Sequence, residues 1–80
     1  MSNKIIRLPT VLANTGYSRS TVYMRINQGL WPKAISLGAR AVGWRETEIT
    51  AMNAARIAGK SDDELRKLVG KLEADRKHAA

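Results

Sequence analysis

Residues 16–29, Gly16-Tyr-Ser-Arg-Ser-Thr-Val-Tyr-Met-Arg-Ile-Asn-Gln-Gly29, decide the fold. Ser18 suits an N-cap, because its short oxygen-bearing side chain can accept from a free N–H of the first turn. A helix is predicted from about Arg19 to Gln28, with Gly29 as the residue that ends it. Val22 and Ile26 lie four apart and define the buried side. Projected at about 100° per residue, Ser20, Tyr23, Met24 and Asn27 point away from that side. Thr21 and Arg25 fall on one flank, and Arg19 sits at the start.

Upstream, Leu8-Pro-Thr-Val-Leu-Ala-Asn-Thr-Gly16 predicts a short first helix. Pro9 is tolerated in a first turn, Val11 and Leu12 face inward, and Gly16 ends the element. Two short helices joined by a turn of about three residues containing glycine make a helix-turn-helix signature. Downstream, Leu30-Trp31-Pro32-Lys33 acts as a connector, and the apolar period then changes to two. Ile35 and Leu37 share one face of a short strand, and Val42 and Trp44 share one face of another. Gly38-Ala39-Arg40-Ala41 is read as a hairpin loop of about four residues, so Arg40 tips a two-stranded wing.

Glu46 to about Ala58 predicts a third helix with Ile49, Met52 and Ile57 as its core face. Ala51, Ala54, Ala55 and Ala58 form a small-residue flank, and Glu46 and Glu48 sit at the positive end. Ser61 caps a fourth helix in a capping box with Glu64, and Leu65, Leu68, Val69 and Leu72 make its apolar stripe. Opposite charges three or four apart, Glu64 with Lys67 and Lys71 with Asp75, are expected to pair. The tail after Glu73 is expected to fray. The fold class is therefore mainly α with a small β-hairpin. A winged helix-turn-helix domain occupies residues 1–60, and an amphipathic helix and polar tail occupy residues 61–80.

Eighty residues hold one core of modest stability. The absence of cysteine excludes disulfides and thiolate metal sites. No stretch approaches the roughly 20 apolar residues that span a bilayer, and residues 1–7 do not resemble a signal peptide. The expectation is a cytoplasmic protein. Charge is distributed unevenly: the first 45 residues carry Lys4, Arg7, Arg19, Arg25, Lys33, Arg40 and Arg45 and no acid. The remaining 35 carry seven bases and all seven acids, so the whole surplus of +7 belongs to the first part. A stretch stripped of carboxylates suits a polyanionic partner.

Catalysis has little to work with. The lone histidine, His78, is the third residue from the end. The acids read as helix-capping or solvated, and neither a phosphate loop nor a metal-ligand cluster appears. No cofactor and no small-molecule substrate are expected. Candidate DNA contacts are Arg19, Ser20, Thr21, Tyr23 and Arg25 on the second helix, with Lys33, Arg40 and Arg45 on and around the wing. Hydroxyl, amide and guanidinium groups on one exposed face suit base edges and phosphates. Tyr23 either donates to a phosphate or closes the edge of the core. Arg40 either enters a minor groove or lies along the backbone. Trp31 and Trp44 read as core residues rather than stacking platforms.

Five blocks occur in order: Arg7-Leu-Pro, Gly16-Tyr-Ser-Arg-Ser-Thr-Val-Tyr23, Gly29-Leu-Trp-Pro-Lys33, Leu37-Gly-Ala-Arg40 and Val42-Gly-Trp-Arg45. Together they resemble AlpA-type phage and prophage regulators, within the wider winged-helix group that includes excisionases and MerR-like domains. The resemblance covers about residues 5–58. It implies binding of double-stranded DNA through the second helix and the wing. It also implies work as a prophage or mobile-element transcriptional regulator, or as a recombination directionality factor beside a tyrosine integrase. Self-association on DNA would be compatible with either role. Two features depart from the pattern. Met24 stands where a basic residue is expected, and the fourth helix lies outside the resemblance. The alternative reading is an interaction adaptor whose fourth helix engages an integrase or another partner.

Overall fold

The computed structural model describes residues 4–78. Residues 1–3, part of the stretch compared with a signal peptide, and residues 79–80 of the expected fraying tail lie outside the described residues. The order is β1 (Ile5–Arg7), α1 (Leu8–Thr15), α2 (Arg19–Asn27), β2 (Ile35–Ser36), β3 (Val42–Arg45), α3 (Glu46–Ile57) and α4 (Asp62–Asp75). A 3₁₀ turn, Arg76–His78, follows. The molecule is a winged helix-turn-helix with a fourth helix packed onto it.

The helix-turn-helix forms where local chemistry directs it. Gly16 closes α1 in the left-handed region at φ 76°, and its N–H donates to the Leu12 carbonyl at 2.9 Å. Thr15 Oγ1 donates to the Val11 carbonyl at 2.8 Å and accepts the Tyr17 N–H at 3.2 Å, which tightens the turn. Ser18 caps α2 by accepting from the Thr21 N–H at 3.2 Å. Beyond Asn27 the Leu30 N–H donates to the Arg25 carbonyl at 2.8 Å. Arg66 of α4 reaches the same helix end, donating to the Gln28 carbonyl at 3.0 Å.

The sheet has one strand more than the expected hairpin. Its order is β1-β3-β2, antiparallel throughout. β1 pairs with β3 in the register Ile5–Arg45, Ile6–Trp44 and Arg7–Gly43. β2 pairs as Ile35–Gly43 and Ser36–Val42. The Leu37 N–H donates to the Ala41 carbonyl at 2.8 Å, so the wing loop spans three residues rather than about four. Gly43 is required by close approach. A Cβ there would lie 2.7 Å from Ile5 Cγ2 and 2.9 Å from the Ile6 carbonyl oxygen.

One core joins all four helices to the sheet. Ile6, Leu8, Val11, Val22, Leu30, Trp31, Trp44, Ile49, Met52, Ala55, Leu65 and Val69 are buried in a single cluster. Both tryptophans belong to it, as expected, and Trp44 Nε1 donates to the Pro32 carbonyl at 2.8 Å. Leu65 and Val69 are buried, and Leu68 and Leu72 pack beside them, so the apolar stripe of α4 is used within the chain.

Three expectations are corrected. Ile57 is 87% exposed, and Ala55 takes the inward place on α3. Among the described residues the chain after Glu73 does not fray: α4 runs through Asp75 and Arg76 is anchored. Glu48 does cap the first turn of α3, as expected, and is in addition fully buried. Its carboxylate accepts from Arg76 Nε at 2.7 Å and Nη2 at 2.9 Å, and from the Arg45 N–H at 3.3 Å. Arg76 Nη2 also donates to the Lys33 carbonyl at 2.7 Å, and Glu73 accepts the Lys33 N–H at 2.8 Å. The end of α4 therefore clasps the connector that leads into the wing. The ion pairs seen on α4 join Lys60 to Glu64 at 3.7 Å and Asp63 to Arg66 at 3.5 Å, not the pairs expected.

Candidate nucleic-acid interface

The cations of the two parts of the chain have different surroundings. In the later part Lys60, Arg66 and Arg76 each meet a carboxylate. In the earlier part Lys4 approaches Glu46 at 3.9 Å. Among the described residues, no carboxylate lies within ion-pair distance of Arg7, Arg19 or Arg40. These three guanidinium groups are not scattered. Arg7, Arg19 and Arg40 line one cleft of about 250 Å³ together with Leu8, Pro9, Tyr23 and Val42.

Each wall has a local cause. Arg7 is the last residue of β1 and the N-cap of α1. Arg19 opens α2 directly after its cap, and Tyr23 follows one turn later on the same face. Arg40 is carried on the wing loop. The first turns of α1 and α2 contain no acid, whereas α3 and α4 have Glu46 and Glu48, and Asp62, Asp63 and Glu64. The positive ends of α1 and α2 are thus left without an acidic side chain. Three like charges around one cleft repel, and an anionic partner would relieve that repulsion.

The other candidates fall outside this cleft. Ser20 is exposed beside the Ser18 cap, with the two hydroxyls 3.3 Å apart. The Thr21 hydroxyl lies 2.9 Å from the same Ser18 oxygen. Arg25 is half-buried over the Tyr17 ring, 5.3 Å from its centroid. Arg56 covers the same ring at 4.3 Å, and Trp31 meets it edge-on at 5.7 Å. The exposed Lys33 belongs to the clasped connector. Arg45 is half-buried at the end of β3, and its Nε, like that of Arg25, is buried without a partner. The reading of the chain had not chosen Arg7. Its only local signal was position, a base at the head of a helix in an acid-free segment.

Residues 4–57 match the family model described as Prophage CP4-57 regulatory protein (AlpA). The chain belongs to the AlpA family. Among curated relatives, the uncharacterized protein ORF88 of Enterobacteria phage P4 is 44% identical over 57 residues, covering 71% of this chain and 65% of its own length. The DNA-binding transcriptional activator AlpA of Escherichia coli strain K12 is 40% identical over 52 residues, covering 58% of this chain and 74% of its own length. The chain therefore spans just under two thirds of the phage P4 relative. No solved structure matches. The AlpA match takes in β1 to α3, which contain every wall of the cleft, and stops before α4. Among the described residues no helix is long and apolar enough to cross a membrane, and no acidic, histidine or cysteine cluster could hold a metal ion.

Proposed function

We propose that this AlpA-family chain binds double-stranded DNA in the cytoplasm and regulates transcription of prophage or mobile-element genes. The observation that carries the proposal is the cleft where Arg7, Arg19 and Arg40 meet Tyr23 with no carboxylate among them. α2 enters the major groove by its first turns, where Ser20 and Thr21 face base edges. Arg19 and Tyr23 meet the flanking phosphates, and Arg40 on the wing follows the adjacent backbone or minor groove. Arg25, Lys33 and Arg45 contribute cationic field around this surface.

The test begins with site selection from a random duplex library, followed by fluorescence anisotropy across a salt series. Each phosphate contact contributes about −0.9 to the slope of log affinity against log salt. Arg7→Ala, Arg19→Ala and Arg40→Ala should each flatten the slope by about 1 while leaving the melting temperature within about 2 °C. A parent protein with a flat salt response would overturn the proposal. Expression of a reporter from the selected site then separates activation from repression. Loss of excision without loss of promoter control in these variants would assign the surface to recombination instead.

A further inference from the structure

The exposed face of α2 is not wholly polar. Met24 is 52% exposed and Tyr23 is 40% exposed, side by side on the second turn. Of the other exposed large apolar residues, Ile5 and Leu37 both lie over Gly43, and Ile57, 87% exposed, closes α3 away from this face. Met24 belongs neither to the core nor to the partly buried layer around it. Ser20 stands one turn before it, and Asn27 and Gln28 one turn after, all exposed. A thioether offers a phosphate or a polar base edge almost nothing, since it is at most a weak acceptor. It does offer a flexible, polarizable apolar surface. The major groove presents one apolar group, the 5-methyl of thymine.

We infer that Met24 is a specificity-determining residue that packs on the 5-methyl group of a pyrimidine, thymine in unmodified DNA, in the major groove. The inference rests on the DNA-binding proposal and adds the base feature that this helix reads. Its neighbours support the placement. Tyr23 and Arg19 border the cationic cleft, so phosphates held there bring the groove floor against the next outward residue of the same helix. Ser20 and Asn27 supply hydrogen-bonding partners on either side of the apolar one.

The decisive measurement replaces each thymine of the selected site, one at a time, by deoxyuridine, which removes only the methyl group. One position should lose about fourfold in affinity, the equivalent of about 0.8 kcal/mol for one buried methyl group. With Met24→Ala that loss should vanish, while losses at other positions persist, as a coupled pair requires. Met24→Leu should retain most of it. Replacing the thymine·adenine pair by 5-methylcytosine·guanine keeps the methyl and alters the polar pattern. Binding above that of the unmethylated cytosine pair would therefore assign the contact to the methyl itself. Unchanged melting of Met24→Ala shows that the fold is intact. Salt-dependent binding with no thymine position coupled to Met24 overturns the inference and leaves the DNA reading standing. Changed stoichiometry or cooperativity in Met24→Ala, without coupling to any methyl, would instead place Met24 between protein copies and also overturn it. Absence of DNA binding by the parent removes the proposal beneath it.

Discussion

Arg76→Ala should be the most destabilising single change outside the apolar core. The Glu48 carboxylate is fully buried, and two of its three hydrogen bonds come from the Arg76 guanidinium. Truncation leaves a buried negative charge with only the Arg45 N–H, and frees the Lys33 carbonyl. Removing one member of a buried pair costs about 3–5 kcal/mol. The Arg76 side chain is 21% exposed, so water reaches one edge of the pair and the lower figure, about 3 kcal/mol, is expected. An 80-residue domain has about 4–12 kcal/mol in total. At about 4–8 °C per kcal/mol for a chain of this size, melting should fall by about 12–24 °C.

Circular dichroism during thermal and urea unfolding measures this directly. Arg76→Lys keeps the charge but loses the two-pronged contact, and should fall between parent and alanine variant. Adding Glu48→Gln to Arg76→Ala should recover part of the loss, because the uncompensated charge is gone. Hydrogen bonding to Glu48 pushes the Arg76 guanidinium above its ordinary value, opposed by burial. Its contribution is therefore fully present below the unfolded arginine value and lost only as pH rises through the higher folded one. That window is strongly alkaline, so across the neutral range Arg76 itself gives the deficit no pH dependence. An Arg76→Ala protein melting within about 2 °C of the parent would refute the reasoning.

Three further outcomes follow from contacts elsewhere. Gly43→Ala forces a Cβ to 2.9 Å from a backbone carbonyl, which cannot yield as a side chain would. It should cost about 1–3 kcal/mol in urea unfolding, and parent-like stability would mean that β1 does not pair there. Trp44→Phe leaves the Pro32 carbonyl without its buried donor and should cost about 1–3 kcal/mol. DNA binding should persist below the lowered melting point. The Glu64 carboxyl is held below its ordinary value by the Ser61 N–H first, then the Ser61 hydroxyl and Lys60. The stability it contributes is present above the unfolded glutamate value and lost as pH falls through the folded one. Ser61→Ala should raise the Glu64 value in a carbon-detected NMR titration, and an unchanged value would show that the hydroxyl does not hold the carboxylate.

What could be read from the chain was what neighbours in sequence determine. Ser18, Gly16 and Gly29 act within five residues of themselves, so the turn, the cap and the ends of α2 were legible. The capping place of Glu48 was legible, but its burial was not, because an acid in a first turn already has a sufficient local explanation in the helix dipole. Its partner lies 28 residues away. Ile57 was placed inward by its apolarity, yet Ala55, three residues after Met52, continues the buried row. A larger side chain at Ala55 would crowd the seam with α4.

The strand that went unread also explains why the cleft went unread. Ile5-Ile6-Arg7 is too short to show a period, and its partner strand lies about 38 residues further on. Pairing Ile6 with Trp44 fixes the whole register, because a slip of one residue would turn Ile6 out of the core. That register sets Arg7 opposite Gly43, next to Val42 in the cleft wall, where β3 emerges from the loop that carries Arg40. α1 begins at once after Arg7, and the three-residue turn after α1 delivers Arg19 to the same place. The charge asymmetry of the chain therefore raised the expectation of a polyanion partner. Only the long-range pairing of a strand without a sequence signature gathers three of those charges into one surface.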